Sequence, residues 1–300
     1  MTSSLELRDV RKSYGSFVAV DRVSLTVPPG ILFGLLGPNG AGKTSTIRMI
    51  MDITAPDSGE VLFFGRPRQD GDLRRVGYLP EERGLYRKMS VLDHLIFLGE
   101  IRGLKRRELV PKIERWLERV ELAKWSKSKV EELSKGMQQK VQLIGTLLHE
   151  PDILILDEPF SGLDPLNQGL FKDLLIEYRA QGRCVVLSTH GMELAERMCD
   201  QIALISHGRV VLEGELKAIK RQVGGNGYRL VADGDLDRIS EVPGVEQSLI
   251  QNGIVKLLLK PQAEGPDVLR ELVSFLRVHE FRSEEPELEQ IFLKAVRDAA

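Results

Sequence analysis

The chain has only two cysteines in 300 residues, Cys184 and Cys199. That excludes a disulfide framework, and Cys184 sits in an apolar, strand-like run where a reduced, buried thiol is expected, as in a cytosolic protein. Long apolar runs are also missing: none approaches the roughly 18–20 residues of a membrane span. The opening residues, MTSSLELRDV, lack the apolar core of a signal peptide. The chain is therefore expected to be neither secreted nor embedded in a membrane by itself, so that any membrane role would act through a partner. Excess charge is absent as well. A formal net charge of −2 gives no general polyanion-binding surface and argues against nucleic acid as a partner.

The remaining composition, 42% hydrophobic and 29% charged, is that of a globular protein. Its length suits two domains. Charge divides unevenly: residues 222–300 carry nine Lys/Arg against fourteen Asp/Glu, a net −5, which leaves +3 on residues 1–221. We expect one domain over 1–222 and a second over 226–300, with Val223-Gly224-Gly225-Asn226-Gly227 as the linker.

Along the first domain, Leu5 and Leu7, then Val23, Leu25 and Val27, alternate with polar residues, as in a half-exposed sheet. Ile31–Leu36 is apolar on both parities, which suits a strand covered on both faces. A helix is expected from about Lys43 to Asp52, and residues 90–149 read as helical. There Ser90 is an N-cap ahead of Val91, Leu92, Leu95, Ile96 and Leu98, a second helix lies near 108–120 and a third starts near Lys135. Trp116 and Trp125 read as anchors of a small helical core. Then come strand 153–157, helix 165–180, strand 184–189, helix 191–198 and strands near 201–206 and 209–212. Strands alternating with helices imply a mainly parallel sheet, and the strand-rich first 64 residues imply an antiparallel flap upon it. In the second domain the order is strand Tyr228–Ala232, helix Leu236–Val242, strand Val245–Gln251, strand Ile254–Leu259, helix Asp267–Val278, strand Glu280–Ser283 and helix Leu288–Val296. Asn252-Gly253 is a hairpin signal, and the βαββαβ order suggests a small ferredoxin-like α+β fold.

Two motifs carry chemistry. Gly37-Pro38-Asn39-Gly40-Ala41-Gly42-Lys43-Thr44, followed by Ser45, fits G-x-x-x-x-G-K-[ST] in full, between a buried strand and a helix. Phosphates need amides pointing inward from a tight loop, and glycines permit that path. Lys43 would reach the β- and γ-phosphates, and the Thr44 hydroxyl would ligate Mg²⁺. The second motif, Ile153-Leu154-Ile155-Leu156-Asp157-Glu158, is an apolar strand ending in two carboxylates, at the edge of an open α/β sheet where ligands bind. Asp157 is placed to hold Mg²⁺ and Glu158 to polarise the attacking water as general base.

With these motifs in place, the chain resembles the ABC ATPases. Leu133-Ser134-Lys135-Gly136-Met137-Gln138-Gln139-Lys140 resembles that family's signature, with Lys135 and Met137 departing from the usual LSGGQ. The resemblance implies that Ser134 and Gly136 touch the γ-phosphate across a dimer interface. Ser161-Gly162-Leu163-Asp164 resembles the loop that crosses to the other subunit, with Asp164 among the nucleotide-site residues. His190, after Val185-Val186-Leu187-Ser188-Thr189, resembles the switch histidine, and Tyr14 resembles the aromatic that stacks on adenine. Glu81, after Gly77-Tyr78-Leu79-Pro80, stands where the family usually has glutamine; a carboxylate there can ligate Mg²⁺ or its water but cannot donate a hydrogen bond unless protonated. GYLPEERGLY at 77–86 and Leu288–Leu293 resemble an export-type subgroup with a C-terminal accessory domain, some of whose members are associated with sodium or drug efflux.

The resemblance implies a P-loop core with an antiparallel β subdomain and a helical subdomain. It also implies ATP hydrolysis coupled to transport through a separate transmembrane permease, with dimerisation on ATP as a homodimer or with a similar ATPase, at the inner face of the cell membrane. A soluble ABC-type switch acting on DNA or ribosomes is the competing reading. The 91-residue interval from Lys43 to Ser134 holds no sustained heptads, and one cassette rather than two is present. A P-loop kinase would leave the signature and His190 without purpose.

Overall fold

The computed structural model describes residues 3–298 except 83, 225, 252, 261, 285 and 286. It divides into two compact units, Met1–Gly214 and Glu215–Ala300. In chain order the first unit contains β1 (Leu5–Tyr14), β2 (Phe17–Val27), β3 (Leu32–Leu36), α1 (Lys43–Ile50), β4 (Ser58–Phe63), β5 (Arg66–Pro67) and β6 (Val76–Leu79). Then follow α2 (Val91–Ile101), α3 (Arg106–Arg119), α4 (Lys135–Leu147), β7 (Ile153–Asp157), α5 (Pro165–Ala180), β8 (Cys184–Thr189), α6 (Met192–Met198), β9 (Gln201–Ser206) and β10 (Arg209–Glu215).

Two sheets result. One is the antiparallel flap, in the order β2-β1-β4-β5. The other has six strands in the order β10-β9-β3-β8-β7-β6, with β6/β7, β7/β8, β3/β8 and β3/β9 all parallel. Strands β3, β7 and β8 are buried at every residue, which is why their sequences run apolar on both parities. The flap's inward residues, among them Leu5, Leu7 and Val10, share one core with Phe33, Ile47, Ile155, Val186 and Ile205. A separate core joins α2, α3 and α4 through Leu95, Ile113, Val141 and Ile144, with Trp116 and Trp125 packed against it. Ser90 caps α2, its hydroxyl accepting from the Asp93 amide. Both cysteines are buried thiols, and burial pushes the Cys184 thiol up to about 12. Among the described residues, no helix is long and apolar enough to cross a membrane.

The second unit holds α7 (Leu216–Gly224), β11 (Gly227–Gly234), β12 (Val245–Gln251), β13 (Ile254–Leu259), α8 (Gly265–Leu272), β14 (Leu276–Ser283) and α9 (Leu288–Asp298). Its sheet runs β12-β13-β11-β14, every pairing antiparallel. That is the order of a split βαβ arrangement. Three sequence expectations differ from this. Helix α7 ends at Gly224, inside the glycine-rich segment read as a linker; Leu216 and Ile219, three apart, supply its buried side. The helix read as Leu236–Val242 is a 3₁₀ turn over Leu236–Glu241. The helix read through Val278 stops at Leu272, because Leu276 and Val278 pair with Gly234 and Ala232 of β11. Ladder pairing overrides helical periodicity there, and the Ser274 hydroxyl donates to the Glu271 carbonyl at the helix end. Gly225 of the linker, Arg83 of the 77–86 segment and Asn252 of the hairpin turn lie outside the described residues.

An ion pair between a half-exposed Arg66 and a buried Asp72 organises the approach to β6. Asp72 is 4% exposed and accepts two bonds from the Arg66 guanidinium, at 2.8 and 2.9 Å, and a third from the Gln69 amide. The Arg66 guanidinium holds the Asp72 carboxyl below the usual carboxylate range. A depressed folded-state pKa stabilises above the unfolded value, about 3.9, and that stabilisation is lost as pH falls through the folded value. Asp72→Asn should therefore lower stability by about 1–3 kcal/mol near neutral pH. The gap from wild type should narrow as pH falls below the usual carboxylate range and through the lowered value of Asp72. Thermal melts of both proteins at pH 7 and in acid check this; an equal gap at both would contradict it.

Candidate functional site

β3 runs directly into the loop Gly37–Gly42. Two positions tolerate no side chain. Gly42 caps α1 at φ 109°, and a Cβ there would lie 2.5 Å from the Ala19 carbonyl oxygen. A Cβ on Gly37 would strike the Ile205 carbonyl. The loop closes on itself through the Ala41 amide, which donates to the Pro38 carbonyl. Beyond it, the first amides of α1, from Lys43 to Ser45, have no acceptor within the helix and lie at its positive end, a geometry that receives anions. Lys43 is 6% exposed. Its ammonium donates to the Gly37 carbonyl at 2.7 Å and the Pro38 carbonyl at 3.2 Å, and lies 3.5 Å from Glu158 Oε1.

β7 and β8 bring the acidic strand end alongside. Their parallel register sets Asp157 opposite Ser188. Asp157 is fully buried; Ser188 Oγ donates to its Oδ1 at 2.5 Å. Asp157 Oδ2 is buried with no hydrogen-bond partner among the described residues. Glu158 follows at φ 47°, the left-handed region that non-glycine residues rarely occupy. Strain of this kind, on the order of 1–3 kcal/mol, collects at functional sites. Glu158 Oε1 also lies 3.0 Å from His190 Nδ1. A carboxylate only accepts, so Nδ1 carries the proton in that bond. One carboxylate thus faces both Lys43 and His190.

Lys43 and Glu158 open into a cleft of about 420 Å³. Asn39, Gly40, Gly42, Lys43, Thr44 and Ser45 form one wall, with Glu158 and the exposed Glu81 beside them. Tyr14, Phe17 and Ala19 form another. Tyr14 and Phe17 are paired residues at the end of the β1–β2 hairpin, 45% and 61% exposed. Directly opposite partners in an antiparallel pair share a face, so both rings stand on the cleft side. Thr44 and Glu81 offer oxygen donors to the cleft, and the buried Asp157 Oδ2 has no hydrogen-bond partner among the described residues; oxygen donors of this kind suit a small hard cation.

Three expected site residues gather elsewhere. Ser134 is the exposed N-cap of α4, accepting from the Met137 amide at 3.3 Å. Asp164 is the exposed N-cap of α5, accepting from the Asn167 amide at 3.0 Å, a bond that holds its carboxyl below the usual range. A Cβ on Gly136 would come within 3.0 Å of the Asn167 side chain. The two helix starts therefore touch each other, while none of the three residues lines the cleft.

Sequence reasoning missed several contributors. Phe17 carried no motif, and its only signal was its place across the tight turn from Tyr14. Ser188 reads as one more residue of an apolar strand. Gln139 donates to the Pro159 carbonyl, and Gln142 to the Pro80 and Glu82 carbonyls on either side of Glu81. These two glutamines, spaced i, i+3 on the buried side of α4, join the signature helix to both carboxylate-bearing loops.

Known proteins match this architecture. The ABC transporter family model matches residues 20–161, and the model for the C-terminal domain of DrrA1-3-like ATP-binding proteins matches residues 214–296. An uncharacterized ABC transporter ATP-binding protein of Bacillus subtilis, YhaQ, is 40% identical over 97% of this chain and 98% of its own length. Nod factor export ATP-binding protein I of Cupriavidus metallidurans is 39% identical over 72% of each chain. Among solved structures, an ATP-binding subunit of an ABC transporter superposes with a TM-score of 0.69 at 34% identity, covering 74% of this chain and 94% of its own. The cbiO1 protein of Clostridium perfringens, part of the ABC transporter complex cbiONQ, gives 0.64 at 25% identity over 80% and 98%. With 40% identity to a relative along nearly its whole length, the chain belongs to the ATP-binding subunits of ABC transporters, ATPases that work with membrane-spanning permease components.

Proposed function

We propose that the cleft binds Mg²⁺-ATP, that two copies close over two nucleotides, and that the cycle drives export through the permease from the inner face of the cell membrane. The convergence of Lys43 and His190 on Glu158, at the mouth of the phosphate loop, carries this reading.

Each residue then has a task. The amides from Gly37 to Ser45, with Pro38, Asn39, Gly40, Ala41 and Gly42 shaping the loop, cradle the phosphates. Lys43 exchanges its loop carbonyls for the β- and γ-phosphate oxygens, a charge-assisted contact stronger than the one it leaves. That exchange frees Glu158 from the ammonium. Glu158 then accepts a proton from the attacking water, and His190, donating from Nδ1, keeps the carboxylate aimed. Tyr14 stacks on the base, with Phe17 beside it. Thr44, Asp157 and Glu81 would hold Mg²⁺, which when bound neutralises phosphate charge.

Dimerisation answers a geometric shortfall. Ser134, Gly136 and Asp164 sit at exposed helix starts away from their own chain's cleft. A hydroxyl and a backbone amide at a helix N-terminus form an anion site, and only a second copy, or a similar ATPase, brings that site to the γ-phosphate. Shifting such a closure from 1:99 to 99:1 takes about 5.5 kcal/mol of differential binding. Two bridged phosphates with several charge-assisted bonds each, about 1.5–3 kcal/mol apiece, reach that figure. The export direction and the permease partner rest on the Nod factor relative and the DrrA1-3-like C-terminal match.

Glu158→Gln should abolish steady-state ATP hydrolysis and trap a dimer on Mg²⁺-ATP. Gel filtration reads this directly: a mutant that stays monomeric at saturating ATP would sink the closure. Lys43→Ala should remove measurable nucleotide binding by calorimetry, and wild-type affinity in that mutant would refute the loop assignment. Tyr14→Ala and Phe17→Ala should each weaken ATP binding by roughly 1–3 kcal/mol, the range of base–aromatic stacking. Unchanged affinity in the Phe17 mutant would remove that ring from the base site.

A further inference from the structure

Asp157 is more deeply buried than either Glu158 or Glu81. It is fully buried, and its two oxygens differ. Oδ1 is engaged by the Ser188 hydroxyl at 2.5 Å, while Oδ2 is bare. The Ser188 side chain is itself fully buried, on a strand whose register with β7 is fixed by five consecutive parallel pairs, from Ile153↔Cys184 to Asp157↔Ser188. The Ser188 carbonyl, meanwhile, accepts from the Glu158 amide. One residue therefore holds the aspartate through its side chain and the next glutamate through its backbone.

A carboxylate can rotate about its Cβ–Cγ bond, because that terminal torsion is broad. A hydroxyl donor bonded to one oxygen removes that rotation and leaves the other oxygen pointing a single way. Loss of a hydrogen-bond partner behind a metal ligand typically costs about 10–100-fold in metal affinity or activity. Among the described residues, the hydroxyl that bonds the Asp157 carboxylate is that of Ser188.

We propose that Ser188 is a positioning residue for the magnesium site: by donating to Asp157 Oδ1, it presents Oδ2 to the cation that accompanies the nucleotide. The proposal rests on the reading of Asp157 as a magnesium-holding residue. It assigns Ser188 no contact with nucleotide, cation or water.

The experiment measures binding of a fluorescent ADP analogue to the full chain in Mg²⁺-buffered solutions and, separately, in EDTA. Ser188→Ala should raise the Mg²⁺ concentration that half-saturates the Mg²⁺-dependent gain in affinity by about 10-fold or more. Affinity in EDTA should stay within about 2-fold of wild type, because the phosphate loop is untouched. Ser188→Thr, which keeps the hydroxyl, should recover the wild-type Mg²⁺ requirement to within about 3-fold. Ser188→Cys, close in volume but a weak donor, should behave as Ser188→Ala and replaces it where the alanine chain does not fold. A Mg²⁺ requirement unchanged in both donor-poor variants overturns the proposal. So does a parallel fall of affinity in EDTA, which would mark a merely structural role, or a failure of Ser188→Thr to rescue. Asp157→Asn is the control: if it leaves the Mg²⁺ dependence intact, the underlying assignment of Asp157 falls, a result distinct from failure of Ser188 alone.

Discussion

Parallel pairing of β3, β8 and β7 is the constraint from which the site follows. Parallel strands deliver all their carboxyl ends to one edge, and three adjacent strands deliver three different chemistries to it. The end of β3 gives the phosphate loop, that of β7 gives Asp157 and Glu158, and that of β8 gives Ser188 and His190. None of these groups is near another in sequence. Their distances, 3.5 Å from Lys43 to Glu158 and 3.0 Å from His190 to Glu158, are set by strand spacing and register. A one-residue slip between β7 and β8 would turn Ser188 to the opposite face of the sheet and leave Asp157 without its hydroxyl.

The same constraint explains why the chain holds an ammonium inside its own phosphate loop. A buried lysine without a partner is costly, and here two loop carbonyls and Glu158 share it. On the proposed reading, these are the contacts that Lys43 exchanges for phosphate oxygens. Glu158, in the left-handed region, is turned toward the cleft instead of continuing the strand line. On the proposed reading, a phosphate that takes Lys43 away also changes the surroundings of the general base, so binding and readiness for hydrolysis are one event.

Much of this was legible in the sequence because it is local. The phosphate loop needs glycines, a lysine and a hydroxyl within eight residues, flanked by a buried strand and a helix, and all of that can be read along the chain. The Asp157-Glu158 pair was legible because it ends an unbroken apolar run, and His190 because it follows a buried strand of mostly apolar residues. Ser188 was not, since its meaning depends on which residue of β7 stands opposite it. Gln139 and Gln142 were hidden for the same reason: their acceptors, at Pro159, Pro80 and Glu82, lie 20 to 62 positions away. In the second unit the errors follow one pattern. The run through Val273–Val278 reads helically by its local periodicity, but β11 needed an edge partner, and pairing from Gly234 to Tyr228 settled the matter. Helix α7 was overlooked because the glycines at its end were read as punctuation.

Glu81 draws these threads together. It lines the cleft where the family usually has a glutamine, and the Gln142 amide binds the carbonyls on both sides of it. The backbone of that loop is thus fastened to α4, the helix that Ser134 caps, while the Glu81 carboxylate stays free to face the cleft. Among the residues that line the cleft, Glu81 and Glu158 carry two formal negative charges against one positive charge on Lys43, and the buried Asp157 precedes Glu158 in the chain. A triphosphate arriving alone would add its own negative charge to that deficit, and at an effective dielectric near 20 two like charges 4 Å apart repel by about 4 kcal/mol. On the proposed reading, the cleft is arranged for a nucleotide that brings its divalent cation with it. Substituting a carboxylate for the customary amide at position 81 deepens that requirement, because an amide would have contributed dipoles where glutamate contributes charge. It also places the extra charge on the segment that Gln142 bonds to α4, so that on the proposed reading the charge bound within the cleft and the helix start at Ser134 are joined by one side chain.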